Sequence, residues 1–193
     1  MSDDALWALG RGTGLTALML LTVSIVLGVV ARSGRPLPGL PRFAVSSLHR
    51  SVALGATLLI VLHVATMVVD PYAQIDLVDV VLPFRAGYEP VWVGLGTLAL
   101  DLVLVVVATG LLRHRLRPNV FRAIHLLTYL LWPMALVHAL GSGTDTGHAW
   151  MIAICAGCAV VVVAAVVARL ALPDEFAAPR RVVQATRPPV GVR

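Results

Sequence analysis

The sequence predicts an all-α integral membrane protein, a five-helix transmembrane bundle, and three observations carry that reading. Of the 193 residues, 59% are hydrophobic, and the mean hydropathy is +0.89. Only 13% are charged, against about 25% in an ordinary soluble domain. The charges gather between five long apolar runs, each close to the roughly 20 residues that a bilayer-spanning helix requires.

The first run covers about 10–31 and ends before Arg32. It follows Asp3 and Asp4 rather than a basic stretch, so it reads as a retained helix and not as a cleaved signal. The second, 43–69, follows the turn residues Pro36, Pro38 and Pro41. The third, 90–112, opens at Pro90. The fourth, 119–140, begins after Pro118-Asn119, a breaker and N-cap signal. The fifth, 149–171, follows a Gly-rich loop at 141–147. The expected organisation is a short extracytoplasmic N-terminus (1–9), a membrane domain (10–171) and a basic, disordered cytoplasmic tail (172–193).

All fifteen basic residues are arginine, and the net charge is +5. They cluster at helix ends, where they set orientation and meet anionic lipid headgroups, so no nucleic-acid partner is expected. Arg32, Arg35 and Arg42 lie between the first two runs, and Arg113, Arg115 and Arg117 between the third and fourth. Asp70, Asp76, Asp79, Glu89 and Asp145 fall on the other side. The positive-inside rule then puts the N-terminus outside and the C-terminus in the cytoplasm. This describes a multi-pass protein of the cell membrane, with a bacterial plasma membrane the expected location. Trp92 and Trp150 serve as interfacial anchors. Cys155 and Cys158, three apart in an apolar run, read as small residues for close helix packing rather than a redox or metal motif.

Four histidines fall inside membrane helices: His49 and His63 in the second, His125 and His138 in the fourth. His114 and His148 lie in loops. An ionisable residue at membrane depth is costly and suggests a site. The second and fourth helices run parallel, so His49 and His125 share one depth and His63 and His138 another, about 20 Å away along the axis. That spacing forbids one zinc or copper site, whose ligands must converge within about 2.1 Å of the ion. It suits two irons, each held by two axial imidazoles, as in b-type haems that carry electrons. One difficulty stands out. Fourteen residues return helix two to within about 40° of the same face, but thirteen leave His138 about 140° from His125. Pro133, between the two, is the expected source of a compensating kink. Asp101, in the middle of the third run, is either a proton- or quinone-contacting carboxylate or a buried polar residue satisfied by a neighbouring helix.

The segments SSLHRSVALGATLLIVLHVA (46–65) and FRAIHLLTYLLWPMALVHAL (121–140) resemble the two haem helices of the ferric reductase-like transmembrane domain. That superfamily includes ferric-chelate reductases, NADPH oxidases and the haem subunit of the methionine-sulfoxide repair system. The resemblance spans about residues 9–171. It implies two haem b groups, an inner one on His49 and His125 and an outer one on His63 and His138. It places Arg11 near the outer haem, as a contact for a propionate or an anionic acceptor, with an ordinary membrane-end arginine as the alternative. Arg50 and Arg122 flank the inner level, as propionate contacts or as positive-inside residues, and Gly55 lies where a porphyrin edge or a neighbouring helix approaches.

The implied activity is electron transfer from a cytoplasmic reductant or membrane quinol to an extracytoplasmic acceptor such as ferric iron or a flavoprotein. A quinol-fed haem subunit of a periplasmic methionine-sulfoxide reductase is the close variant. A non-enzymatic haem sensor or scaffold is the alternative from another class. No Gly-rich dinucleotide fingerprint follows the last helix, so a separate donor, a flavoprotein reductase or quinol, is expected. The loop at 71–89, with Tyr72, Phe84 and Tyr88, is expected to cap the outer haem.

Overall fold

A computed structural model describes residues 3–33, 41–143 and 145–171. The tail 172–193, with the arginines read as cytoplasmic, lies outside the described residues, as does Arg35 of the first loop. Six helices occur among the described residues, with no strand. They are α1 (Asp3–Ser33), α2 (Arg42–Val69), α3 (Pro90–Leu111), α4 (Pro118–His125), α5 (Thr128–Ser142) and α6 (Ala149–Ala171). Since α4 and α5 together make one span, five segments are long and apolar enough to cross a bilayer. Each matches a predicted run, except that α1 begins at Asp3, inside the segment read as the N-terminal tail. Large apolar side chains face outward; Leu58 is 64% exposed, Val160 68% and Leu170 81%. In water such a surface would aggregate, so it is the lipid-facing surface of a multi-pass membrane protein.

The bundle is two packed units. In one, α1 and α2 form an antiparallel hairpin with the most extensive helix–helix contact of the fold, and α6 packs on α1. In the other, α5 packs on α3. A core of Leu18, Trp132, Met151, Cys155, Cys158 and Val162 joins α1, α5 and α6. Within it Trp132 Nε1 donates to Thr22 Oγ1 at 2.9 Å. Both cysteines are free and buried here, packed as small residues. Among the helices, α2 packs almost entirely on α1 and has little direct contact with α4 or α5.

The fourth span is broken, and the break is not at Pro133, which sits inside α5. It lies at Leu126–Leu127. There the bonding switches from i−4 to i−3: Leu127 N–H donates to Ile124 O, Tyr129 to Leu126 O and Leu130 to Leu127 O, before Leu131 returns to the i−4 carbonyl of Leu127. Thr128 Oγ1 satisfies the His125 carbonyl at 2.8 Å. A residue in such a turn advances about 120° and 2.0 Å, against about 100° and 1.5 Å in an α-helix. Over four residues the extra rotation is about 80°, which leaves His125 and His138 about 60° apart in azimuth and about 21 Å apart in height. Those values nearly equal the 40° and 21 Å that fourteen regular residues give α2. The tightened turn lets thirteen residues stand in for fourteen.

Candidate functional site

All four membrane histidines are half-buried, and they meet in pairs across the gap between α2 and the α4–α5 span. The ring centroids of His49 and His125 are 6.2 Å apart, with the planes at 80°. Those of His63 and His138 are also 6.2 Å apart, at 74°. No hydrogen bond joins the members of either pair among the described residues. One metal ion between two imidazoles, with metal–nitrogen distances of about 2.0 Å, would hold the centroids about 6.3 Å apart.

The hydrogen bonds fix which nitrogen is available. His63 Nδ1 lies 2.7 Å from Gly10 O, His49 Nδ1 2.9 Å from Ser24 O, and His138 Nδ1 2.8 Å from Trp92 O. A carbonyl only accepts, so each Nδ1 carries the proton and donates. The remaining lone pair of each neutral ring is therefore on Nε2, as a metal ligand requires. His125 differs, for its ring stacks on Phe121, with centroids 5.4 Å apart and planes at 21°. Among the described residues no three His, Cys, Asp or Glu groups converge on one point. The donor set is thus two separate two-imidazole pairs, which fits the axial positions of porphyrin iron.

The other predicted residues fall as follows. Arg50 and Arg122 are exposed beside the His49/His125 level. Arg11 lies one residue after the carbonyl that holds His63, but its guanidinium forms an ion pair with Asp145 and stands 4.1 Å from the Trp7 ring centroid. Asp145 also faces His148 Nδ1 at 3.7 Å. Arg11 therefore ties α1 to the loop before α6. Asp101 is half-buried on α3 and lies about 140° around the helix from Gly96, the residue against which His138 packs. It is not brought to either pair. Gly55 faces Leu20 of α1, and a Cβ there would meet Leu20 Cδ1 at an ordinary 3.6 Å, so helix packing explains it.

The 71–89 loop lies along the N-terminal half of α3, where Thr97 Oγ1 donates to Asp79 O at 2.8 Å and Phe84 covers Gly94. Gly94 is about 200° around α3 from Gly96, so this part of the loop braces α3 from behind rather than touching His138.

The fold and site together define a helical membrane protein with two superposed bis-histidine pairs, one near each end of the same two spans. The chain belongs to the family of ferric reductase-like transmembrane components, which it matches over residues 13–136. That match includes His49, His63 and His125 and ends two residues before His138. No curated protein and no solved structure gives a significant match. Family membership implies transmembrane electron transfer alongside redox partners, and domains of this family generally bind haem.

Proposed function

We propose that this protein carries electrons across the membrane through two b-type haems, an inner one held by His49 and His125 and an outer one held by His63 and His138. The observation that carries this reading is the repeated 6.2 Å separation of the paired rings, at two levels about 21 Å apart. A haem held by each pair of imidazoles would supply a one-electron iron couple suited to electron transfer. The chain's own part is to present four imidazoles in two facing pairs and, through backbone carbonyls, to fix the tautomers of His63, His49 and His138.

The arginine distribution supports a cytoplasmic C-terminus and flow from inside to outside in a plasma membrane. The donor is a flavoprotein reductase or membrane quinol, and the acceptor an extracytoplasmic protein or ferric chelate. Arg50 and Arg122, exposed at the inner level, are suited to neutralise haem propionates. With a quinol donor, Asp101 is the carboxylate able to take up a proton, on the α3 face turned from the histidines. Arg11 is engaged by Asp145, so Arg11→Leu should retain full haem content, read as haem per chain by the pyridine haemochromogen assay; loss of the outer haem would give Arg11 a propionate role instead.

The test is a dithionite-reduced minus oxidised spectrum of the purified protein with haem quantified per chain. Two low-spin b-type haems are expected, with the strongly anisotropic electron paramagnetic resonance signals of near-perpendicular axial rings. A chain free of haem after expression with ample haem supply would overturn the proposal.

A further inference from the structure

Three of the four histidines rest on one local device. The acceptors of His63, His49 and His138 are the carbonyls of Gly10, Ser24 and Trp92. Four residues after each stands a glycine, Gly14, Gly28 and Gly96, and each glycine packs against the same histidine ring that its carbonyl binds. Helix geometry explains the pairing. The carbonyl of residue i points along the axis toward residue i+4, so an imidazole that reaches it must lie over the Cα of i+4. A Cβ at Gly14 would lie 2.9 Å from His63 Nδ1 and 3.0 Å from its Cε1. At Gly96 it would lie 2.7 Å from both His138 Nδ1 and Cε1. At Gly28 the nearest atom, His49 Cε1, is 3.4 Å away. Each such carbonyl accepts from the histidine as well as within its helix, and Gly10 O also accepts from Thr13 Oγ1 at 2.9 Å.

The fourth position breaks the pattern. Gly110 follows Gly96 by fourteen residues, as Gly28 follows Gly14, yet among the described residues no atom lies within 4 Å of the place its Cβ would occupy. The carbonyl four residues before it, Val106 O, accepts from Thr109 Oγ1 at 3.1 Å, as Gly10 O does from Thr13 Oγ1, but among the described residues no histidine reaches it. His125, at the end of α4 just before the tightened turn, stacks on Phe121, and among the described residues no carbonyl accepts from its ring.

We propose that the carbonyl-and-glycine seats on α1 and α3 are positioning elements for His63, His49 and His138, and that the unseated His125 makes the inner centre the one that gives up an axial ligand. This rests on the two-haem reading above. The outer centre is seated from both sides and keeps its ligands, while the inner centre is seated only through His49.

The experiment uses full-length protein purified with its haem, in the wild-type form and as Gly14→Ala, Gly96→Ala, Gly28→Ala and Gly110→Ala. Haem per chain and the midpoint potential of each centre are read. Gly14→Ala and Gly96→Ala should weaken retention of the outer haem about 10- to 100-fold, the usual cost of disturbing what orients a metal-binding histidine, while the inner potential stays put. Gly28→Ala should shift the inner potential without loss of haem, and Gly110→Ala should change neither centre. If Gly14→Ala or Gly96→Ala fails to reach the membrane, the Gly28→Ala potential decides, and an unmoved value there overturns the seats. Carbon monoxide added to the reduced wild type should convert only the inner centre; equal conversion of both, or of the outer alone, overturns the asymmetry. A wild type without haem would sink the function itself, a different result from a two-haem protein indifferent to these alanines.

Discussion

Replacing His138 with alanine is expected to leave one haem per chain in place of two and to stop electron transfer across the membrane while the inner haem still reduces. His138 and His63 face each other at 6.2 Å, so removing either leaves one imidazole where the site needs two. The remaining centre, about 21 Å away along the helices, would then have no successor on the outer side. The same loss should follow His63→Ala, and the double variant should lose nothing more, because the two side chains act as a unit and their effects do not add. Combining His138→Ala with His125→Ala should remove both haems. Haem per chain separates these cases, with far-ultraviolet circular dichroism to establish that the helices persist. Two haems retained in His138→Ala would remove that residue from the ligand set.

The second large effect concerns the turn at Leu126–Leu127. Its i−3 bonds supply about the rotation and rise of one missing residue. Inserting one alanine between Leu126 and Leu127 lets the span run as a regular α-helix with fourteen residues between the histidines, the spacing already found in α2. That insertion should keep both haems. Deleting Leu127 leaves twelve, a shortfall of about 240° from four full turns at 100° per residue, which a short tightened stretch cannot supply because such runs rarely exceed three or four residues. The deletion should cost one haem per chain. Equal outcomes for insertion and deletion would show that helix azimuth does not set the site.

Much of this architecture was legible in the sequence because membranes leave few options. An apolar run of sufficient length must become a helix that satisfies its own backbone, and the five runs did so, with the first helix starting earlier, at Asp3, and the fourth broken into two. The depth matching of the histidines followed from the fixed rise. The break in the fourth span was not legible, for HLLTYLL contains no glycine or proline. Pro133 drew attention as the usual cause of a kink, yet it sits within α5. The distortion comes instead from the need to bring two rings into line, which is a tertiary demand. The glycine seats were hidden for a related reason. Gly14 and Gly28 repeat within α1 the fourteen-residue spacing of His49 and His63 in α2, but only the packing of the two helices shows that they meet, and Gly55, between the two histidines of one helix, stood out although a Cβ there would meet Leu20. Arg11 pairs with Asp145, 134 positions away in the chain, a partner that no local segment displays.

The antiparallel α1–α2 hairpin has a consequence for the order in which the protein is made. Its acceptors, Gly10 and Ser24, and its histidines, His63 and His49, are each fourteen residues apart, so one register satisfies both contacts and a slip by a turn breaks both. Everything that sets this register lies within the first 69 residues. During synthesis the N-terminal part emerges and folds first, so His63 and His49 can be aligned with protonated Nδ1 before α3 has left the ribosome. On the two-haem reading, the later helices would arrive at a half-site already built, and haem capture would be the closing event of assembly, once α4 and α5 bring His125 and His138 opposite.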